Sequence, residues 1–511
     1  MSNTKQLKAG VLLSYLTLAL SNIIALVYTP FMLRLMGQSE YGLYSLVASV
    51  VAYLTILDFG FGNAIIRYTA KYRAESKFEE LSSLFGMFLI MYIGVGIIAL
   101  IAGISLYLNV DLFFEQSMTA YELREAQAMV LLMVLNVVFT FPLSVFPSII
   151  VAYEKFTFHK LVNLIRILLQ PCIMIPLLLM GYKAMGMVVL TTILNLGTLL
   201  IYCWYCFYRL HIKIVFKRVE RSLVREVCIY SFYVFLTIIV DRAFWSTGQF
   251  ILGILSGTKD VAIYSLVVQL CNYYMAFSLA ISGVFLPKMT QLISARRSMV
   301  EVSDLFIKIG RIQFMVMAYI LFGFILFGKV FVSYWAGNGY EMVYPLTVLI
   351  MIPQTIPLIQ NLGISVLQAL NRQRFRSFLN VIVALISVAV GYELTKKWGI
   401  IGCAISTAGA LFIGHGVILN WYYLKKIKLD IIRFWSSIMR LMFPILTSYL
   451  IVQILLYFVH SDSLLIQGIY VILYTLSFIL MLWFYGFTYY EKGLFISVCN
   501  KINSSLKISQ A

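Results

Sequence analysis

The sequence predicts an all-α polytopic membrane protein of about fourteen transmembrane helices, with two six-helix lobes plus two C-terminal helices. Three observations predict it: the abundance of apolar residues, the one-sided distribution of positive charge, and an internal repeat. Of 511 residues, 62% are hydrophobic and only 12% are charged. Mean hydropathy is +0.92. A soluble chain of this length could not bury so much apolar surface. The apolar runs recur throughout, and each is long enough to cross a hydrocarbon core of ~30 Å, which takes about 20 helical residues. They do not alternate with period two, which excludes a β-barrel. Lipid offers no partners for backbone N–H and C=O groups, so each crossing is read as a helix.

Taken in order, the first span (9–33) follows Lys5 and Lys8. It is too long for a signal-peptide core and lacks a small-residue cleavage site, so it is expected to be a retained helix. The second (42–66) and third (82–107) precede an acidic connection, 108–127, with Asp111, Glu115, Glu122 and Glu125. Spans 128–152, 161–181 and 184–207 complete the first set. The second set is 228–256, 261–285, 312–333, 344–369, 376–392 and 399–423, and the last pair is 437–459 and 465–488. No connection is large enough to hold a catalytic domain.

Starting in the cytoplasm and alternating, 31 of the 39 Lys and Arg residues fall on the inner side, Arg166 counted among them. That is the bias expected of cytoplasmic segments, and it places both termini inside. It also accounts for the net charge of +18 without nucleic acid. The seven cysteines lie in or beside apolar runs. Cys203 and Cys206 have no second pair or histidine at metal-site spacing, so they read as apolar packing residues.

The repeat shows in three places. Leu35–Val47 matches Leu255–Val267 at a shift of 220, sharing Gly37/Gly257, Glu40/Asp260 and Tyr-Ser-Leu-Val at 44–47 and 264–267. Ala152, Phe158 and Asn163 match Ala369, Phe375 and Asn380 at a shift of 217, and Gly186 pairs with Gly402. An even number of helices per half makes this a parallel repeat. The expected division is 1–220 (helices 1–6), 221–430 (helices 7–12) and 431–511 (helices 13–14 and a cytoplasmic tail).

Charged groups inside spans carry the functional expectations. Asp241 and Arg242 lie mid-span, where a charge costs roughly 2.5–3.5 kcal/mol. Arg242, Ser246 and Gln249 share one helix face. They form either a polar cavity wall or, with Asp241, a structural ion pair. Asp58, in Asp58-Phe-Gly-Phe-Gly-Asn63, is a candidate for ion coupling or head-group recognition, or else an interfacial cap. Gly60 and Gly62 there allow a local break or close backbone approach. Ser14, Thr17, Ser21 and Tyr28 form a stripe beside Asn22, lining a cavity or packing helices. Arg34 and Arg67 close their spans as snorkelling or anchoring cations. His415 is either a proton relay or a hydrogen-bonded structural residue. All ten prolines lie in or near spans, as suits kinked, rocking helices. No P-loop, HExxH, G-x-S-x-G or dinucleotide fingerprint is present, so an ion or substrate gradient is the expected driving force.

Four of these features together resemble the oligosaccharide flippases of the multidrug/oligosaccharidyl-lipid/polysaccharide exporter superfamily. They are the 6+6+2 layout, Thr29-Pro30 through Arg34 to Tyr44, Asp58 through Asn63 to Arg67, and Gly257–Val267 heading the second half. The resemblance implies a transporter, not an enzyme. It would move an undecaprenyl-pyrophosphate-linked oligosaccharide from the inner to the outer leaflet of the bacterial cytoplasmic membrane by alternating access, feeding O-antigen, capsule or another surface polysaccharide. By that analogy Arg242, Arg34 and Arg67 meet the anionic head group, with Asn22 and Gln249 also lining the site. Asp58 and Asp241 position the arginines or couple to an ion. No cofactor is implied beyond H+ or Na+ coupling. The implied partners are the lipid-linked glycan, the bilayer, a polysaccharide polymerase and other assembly proteins. A multidrug or cation exporter of the same superfamily is the alternative, although such exporters typically lack the last two helices. A membrane polymerase or ligase would need a large outer loop, and a passive scaffold would have no use for mid-membrane charge.

Overall fold

The computed structural model describes residues 3–216, 221–370, 372–458, 464–493 and 496; several side chains within 3–19 and 221–243 lie outside the described set. All regular structure among the described residues is helical. In order these are α1 (Asn3–Met36), α2 (Gln38–Leu54), a 3-10 turn (Thr55–Asp58), α3 (Phe61–Ala74), α4 (Phe78–Leu108), α5 (Val110–Phe114), α6 (Ala120–Leu143), α7 (Val145–Ala152), α8 (Phe156–Leu179) and α9 (Ala184–Tyr208). Then come α10 (Arg221–Trp245), α11 (Thr247–Leu255), α12 (Thr258–Ser294), α13 (Met299–Ala336), α14 (Val343–Ile359), α15 (Asn361–Ala369) and α16 (Gln373–Leu411). Wider π-type turns carry the chain from Phe412 to Leu419 and from Tyr423 to Ile427, around α17 (Asn420–Tyr422). Finally α18 (Ile431–Phe458) leads to α19 (Leu464–Met481) and a last π-type turn, Leu482–Gly486.

Among the described residues, eleven helical stretches are long and apolar enough to cross a membrane. One of them, Gln373–Ile427, holds 55 residues and is two crossings, because Gly399 (φ 57°, ψ −139°) breaks the helix. With α1 and α10–α11 added, the set is compatible with the expected span count. The protein is thus a multi-pass helical membrane protein. Its surface agrees: α4 exposes Ile90, Ile93, Ile97, Ile101 and Ile104 along one face and buries Leu84, Phe88, Tyr92, Val95 and Ala99 along another. An exposed isoleucine stripe of that length suits lipid, not water.

Several helices are broken where the sequence removes backbone donors. Pro142 and Pro147 flank the α6–α7 junction at Ser144, and Pro353 and Pro357 precede the α14–α15 junction at Gln360. Each proline lacks the amide that would bond one turn back, so the ladder is interrupted there. The second span breaks differently, at Phe59 (φ 51°) and Gly60 (φ 69°), two consecutive left-handed residues.

The repeat reappears as geometry. Gly37 and Gly257, at φ 84° and 90°, open α2 and α12. Phe158 stacks on Tyr205 and Phe375 on Tyr422, each with centroids 3.8 Å apart, and the two pairs stand 217 residues apart in sequence. The junctions at Ser144 and Gln360 fall at nearly the same offset.

The chain forms two compact units, Met1–Leu266 with Ala384–Cys403, and Val267–Val383 with Ala404–Ala511. In the first, α6 packs against α2, α4 and α9, while α8 lies between α1 and α9. In the second, α13 packs on α14, α18 and α19. A buried clasp secures that packing. Arg311 on α13 donates to both carboxylate oxygens of Glu491, at 2.7 and 3.0 Å, to Gly486 O at 2.8 Å and to Ser437 O at 3.1 Å.

Candidate substrate and coupling site

The site is built around the break in the second span. Because Phe59 and Gly60 turn left-handed, the Asp58 carboxylate projects from the end of a 3-10 turn and accepts the Gly60 amide. Tyr92 of α4, fully buried, donates its hydroxyl to Asp58 Oδ1 at 2.8 Å. The same hydroxyl hydrogen-bonds the Ser144 side chain, at the α6–α7 junction, and the Gly62 backbone. Asp58, Tyr92 and Ser144 thus join the second, third and fourth spans at the break points of two of them. Phe61 meets Tyr92 edge-on at 5.5 Å and shields this hub.

The second unit holds a hub at matching repeat positions. Ser278 on α12 donates to Leu358 O at 2.6 Å and accepts from Gln313 at 3.1 Å and Asn361 at 2.9 Å. Ser278 follows Asp58 by 220 residues, Gln313 follows Tyr92 by 221, and Asn361 follows Ser144 by 217. The matching positions meet again, but the acid is replaced by an alcohol and the centre of the hub passes from the Tyr92 position to the Asp58 position, held by Ser278.

The break carrying Asp58 packs on α10. Phe59 and Phe235 rings lie 4.7 Å apart, and a Cβ on Gly60 would run into Val234 Cγ1. Further along, the Tyr53 hydroxyl is 2.6 Å from Thr247 Oγ1. Residues 53 and 59 of one element therefore face 247 and 235 of the other, an antiparallel pairing. Between these contacts, Arg242 falls level with residues 55–57, within about two turns of Asp58.

The structure distributes the expected site residues as follows. Arg242 is half-buried and ion-paired with no described residue. The Asp241 side chain lies outside the described residues. α10 and α11 meet at Ser246, whose amide donates to Arg242 O at 2.9 Å and whose carbonyl accepts from the Phe250 amide at 3.3 Å, so helical bonding continues through Arg242, Ser246 and Gln249. Gln249 donates to Ser265 Oγ at 3.1 Å and so joins α11 to α12. Arg34 is exposed in the last turn of α1, separated from Asp58 by the whole of α2, about 30 Å of helix. Arg67 is exposed on α3, beyond the break, with its guanidinium 5.6 Å from the Tyr68 ring centre. Asn22 is half-buried in α1. Arg242 therefore lies within about two turns of Asp58, whereas Arg34 stands at the far end of α2. His415, in a π-type turn of the second unit, has a buried Nδ1 with no hydrogen-bond partner among the described residues.

Two features escaped the sequence reading. Tyr92 and Ser144 looked like ordinary span residues, and only the fold brings them to Asp58. Arg166, counted as an inner-side cation, is instead the eleventh residue of α8, well inside a span. Its signal was present: His159, Asn163, Arg166 and Gln170 recur at i, i+4, i+7 and i+11, one helix stripe. The positive-charge count concealed it.

The first unit also contains a polar cavity of about 500 Å³. It is lined in part by Ser39, Glu40, Glu122, Thr258 and Lys259, so both glycine-led repeat segments border it. Glu122 completes a capping box with Thr119 and accepts Thr258 Oγ1 at 2.8 Å.

Known proteins agree with this architecture. A putative O-antigen transporter of Shigella flexneri is 20% identical over 420 residues, covering 80% of this chain and 95% of that protein. Among solved structures, the lipid II flippase MurJ in an inward closed conformation superposes with a TM-score of 0.72 at 16% identity, covering 92% of this chain and 98% of that one. An inward-facing multidrug transporter of the MATE family, within the MOP superfamily, superposes with a TM-score of 0.69 at 12% identity, covering 80% and 95%. The model of the polysaccharide biosynthesis protein family matches residues 7–293, more than half of the sequence, and the chain belongs to that family.

Proposed function

We propose that this protein is a flippase, not an enzyme, that carries an undecaprenyl-pyrophosphate-linked oligosaccharide across the bacterial cytoplasmic membrane for surface polysaccharide biosynthesis. The observation that carries this reading is a half-buried cation, Arg242, within about two turns of a half-buried carboxylate, Asp58, held by buried Tyr92 at the break of the second span. Charge at that depth persists where it meets a polar cargo or an ion. The family and the O-antigen transporter relative support the glycan class. The repeat supports alternating access between lobes 1–220 and 221–430, with 431–511 as an addition. The charge bias supports cytoplasmic termini.

Coupling to H+ or Na+ is assigned to Asp58, with Asp241 as the second acid. The acidic hub stands in the first half alone of the matched pair, because Ser278 cannot release a proton at physiological pH. A polysaccharide polymerase would receive the translocated glycan.

The test is complementation of a strain lacking the gene. Arg242→Ala is expected to abolish surface glycan while protein level stays unchanged, and Arg242→Lys to restore part of it. Normal glycan in Arg242→Ala would remove that residue from the cargo path. The likeness to a MATE transporter favours multidrug export as a second reading. Dye efflux by the wild type, with intact glycan in the deletion strain, would select it.

A further inference from the structure

We propose that the polar cavity bordered by the starts of α2, α6 and α12 is a saccharide-binding site on the outer face, one that takes hold of glycan after it has crossed. The saccharide class rests on the flippase reading. The site itself is separate from the Asp58 hub, which lies the length of α2 away.

At about 500 Å³ the cavity falls within the size range of small-molecule sites. Glu40, Thr119, Tyr121, Glu122, Thr258 and Lys259 are among the residues that line it. Its acceptors are held in place. Glu122 Oε2 accepts the amide and the hydroxyl of Thr119, both at 2.9 Å, and its Oε1 accepts the Thr258 hydroxyl at 2.8 Å. Glu40 Oε2 accepts the Ala184 amide at 3.4 Å, and its Oε1 stands 3.9 Å from Lys183 Nζ. An ionised carboxylate has about four lone-pair sites, so both glutamates retain capacity for further donors. The cavity has donors too. Lys259 is exposed at its edge. Helices α2 and α12 start here behind Gly37 and Gly257, which bring no side chain to the first amides, and those amides have no partner within their own helix.

This mixture selects the ligand. Lys183 and Lys259 balance the charge of Glu40 and Glu122, so the site has no excess of either sign. A phosphate or carboxylate would meet two carboxylates at close range. Among the described residues, no group of three or more His, Cys, Asp or Glu is placed to hold a metal ion. A neutral ligand rich in hydroxyl groups fits, because each hydroxyl both donates and accepts. Tyr121 meets the other half of a sugar's chemistry. It is 62% exposed at the rim, and its ring offers a flat apolar surface to the C–H face of a pyranose.

Position agrees with the glycan's direction of travel. Residues 39–43, 117–122 and 256–259 lie at connections poor in Lys and Arg, which the charge bias puts opposite the basic, cytoplasmic ones. A saccharide reaching this face is either the unit just delivered on its lipid or the finished surface polymer.

The experiment uses the full chain in phosphatidylcholine nanodiscs and reads weak binding by saturation-transfer NMR. The probes are repeat-unit oligosaccharides, released by mild acid from the surface glycan of the strain itself, and the undegraded glycan. The wild type should transfer saturation to the ring protons of the repeat units. Tyr121→Ala should reduce that transfer at least fivefold, whereas Tyr121→Phe should keep most of it. Glu122→Gln should reduce it at least twofold. Should Glu122→Gln fail to fold, the exposed Tyr121 side chain decides the matter. Transfer to the undegraded glycan alone, lost in Tyr121→Ala, would support the site with the finished polymer as its ligand. No transfer from the wild type, or transfer unchanged in both Tyr121→Ala and Glu122→Gln, would overturn the proposal. That failure, with surface glycan abolished in Arg242→Ala, would leave the flippase reading standing. Tyr121-dependent binding, with dye efflux and intact glycan in the deletion strain, would instead retire the cargo reading and leave a saccharide site.

Discussion

Arg311 and Glu491 show how much a single pair can hold. They are 180 residues apart in sequence, yet Arg311 is 8% and Glu491 6% exposed. Removing one partner of a buried pair leaves an uncompensated charge, a loss of about 3–5 kcal/mol in proteins generally. Arg311→Ala should therefore lower the melting temperature in detergent more than Arg433→Ala, whose partner Asp304 is exposed. Burial opposes ionisation of Glu491, but hydrogen bonds from Arg311 and the Thr488 amide outweigh it and hold the carboxyl below the ordinary glutamate range. A depressed carboxyl stabilises the fold above its unfolded pKa and loses that contribution as pH falls through the folded one. A melting series from pH 7 downward should show this loss below about pH 4.3. Glu491→Gln should lack that component. No local pattern announces the clasp, since Arg311 reads as one more inner-side cation and Glu491 as a tail residue.

At the level of elements, the legible and the illegible divide by range. Gly60 was readable as a break because a left-handed residue favours glycine wherever it occurs. Gly62 looked equivalent in sequence but sits inside α3 with ordinary helical geometry. Gly60→Ala should reduce folded yield for two reasons, a strained φ of 69° and a clash with Val234. Adding Val234→Ala relieves only the clash, so thermal melting of the double variant should recover part of the loss. Full recovery would show that backbone strain is unimportant there. The triad of Asp58, Tyr92 and Ser144 was unreadable, because three different helices meet there and none signals its partners. Tyr92→Phe, which deletes the donor to Asp58 and leaves the ring, should weaken glycan export by complementation with protein level unchanged. The α8 stripe is a different case: its 3.6-residue period was visible, and a charge tally absorbed its most informative member.

For the whole chain, the repeat was read from three local echoes, and the structure adds a match that the sequence hides. Ser144 and Gln360 share no side chain, yet both interrupt the fourth helix of their half. The stacked Phe158–Tyr205 and Phe375–Tyr422 pairs keep both their residue types and their 3.8 Å stacking, extending the Phe158/Phe375 echo to a partner helix. The parallel arrangement makes a further prediction. In a cysteine-free background, single cysteines at Lys155, Lys213 and Arg374 should react with a membrane-impermeant thiol reagent from the same side. Cysteines at Ser39, Thr119 and Lys259 should react from the other. Opposite labelling of Lys155 and Arg374 would break the two-half scheme.

The unequal hubs carry a consequence of their own. A duplicated scaffold with a carboxylic acid in one copy and a hydroxyl in the other has lost its mirror equivalence where it matters energetically. Were Asp58 to take up a proton or a sodium ion, as proposed above, its junction would be rewired while the Ser278 junction kept its bonds. On that proposal the first half senses the driving ion and the second serves as its fixed counterweight. Such a machine would keep two matching halves but take its direction from one side.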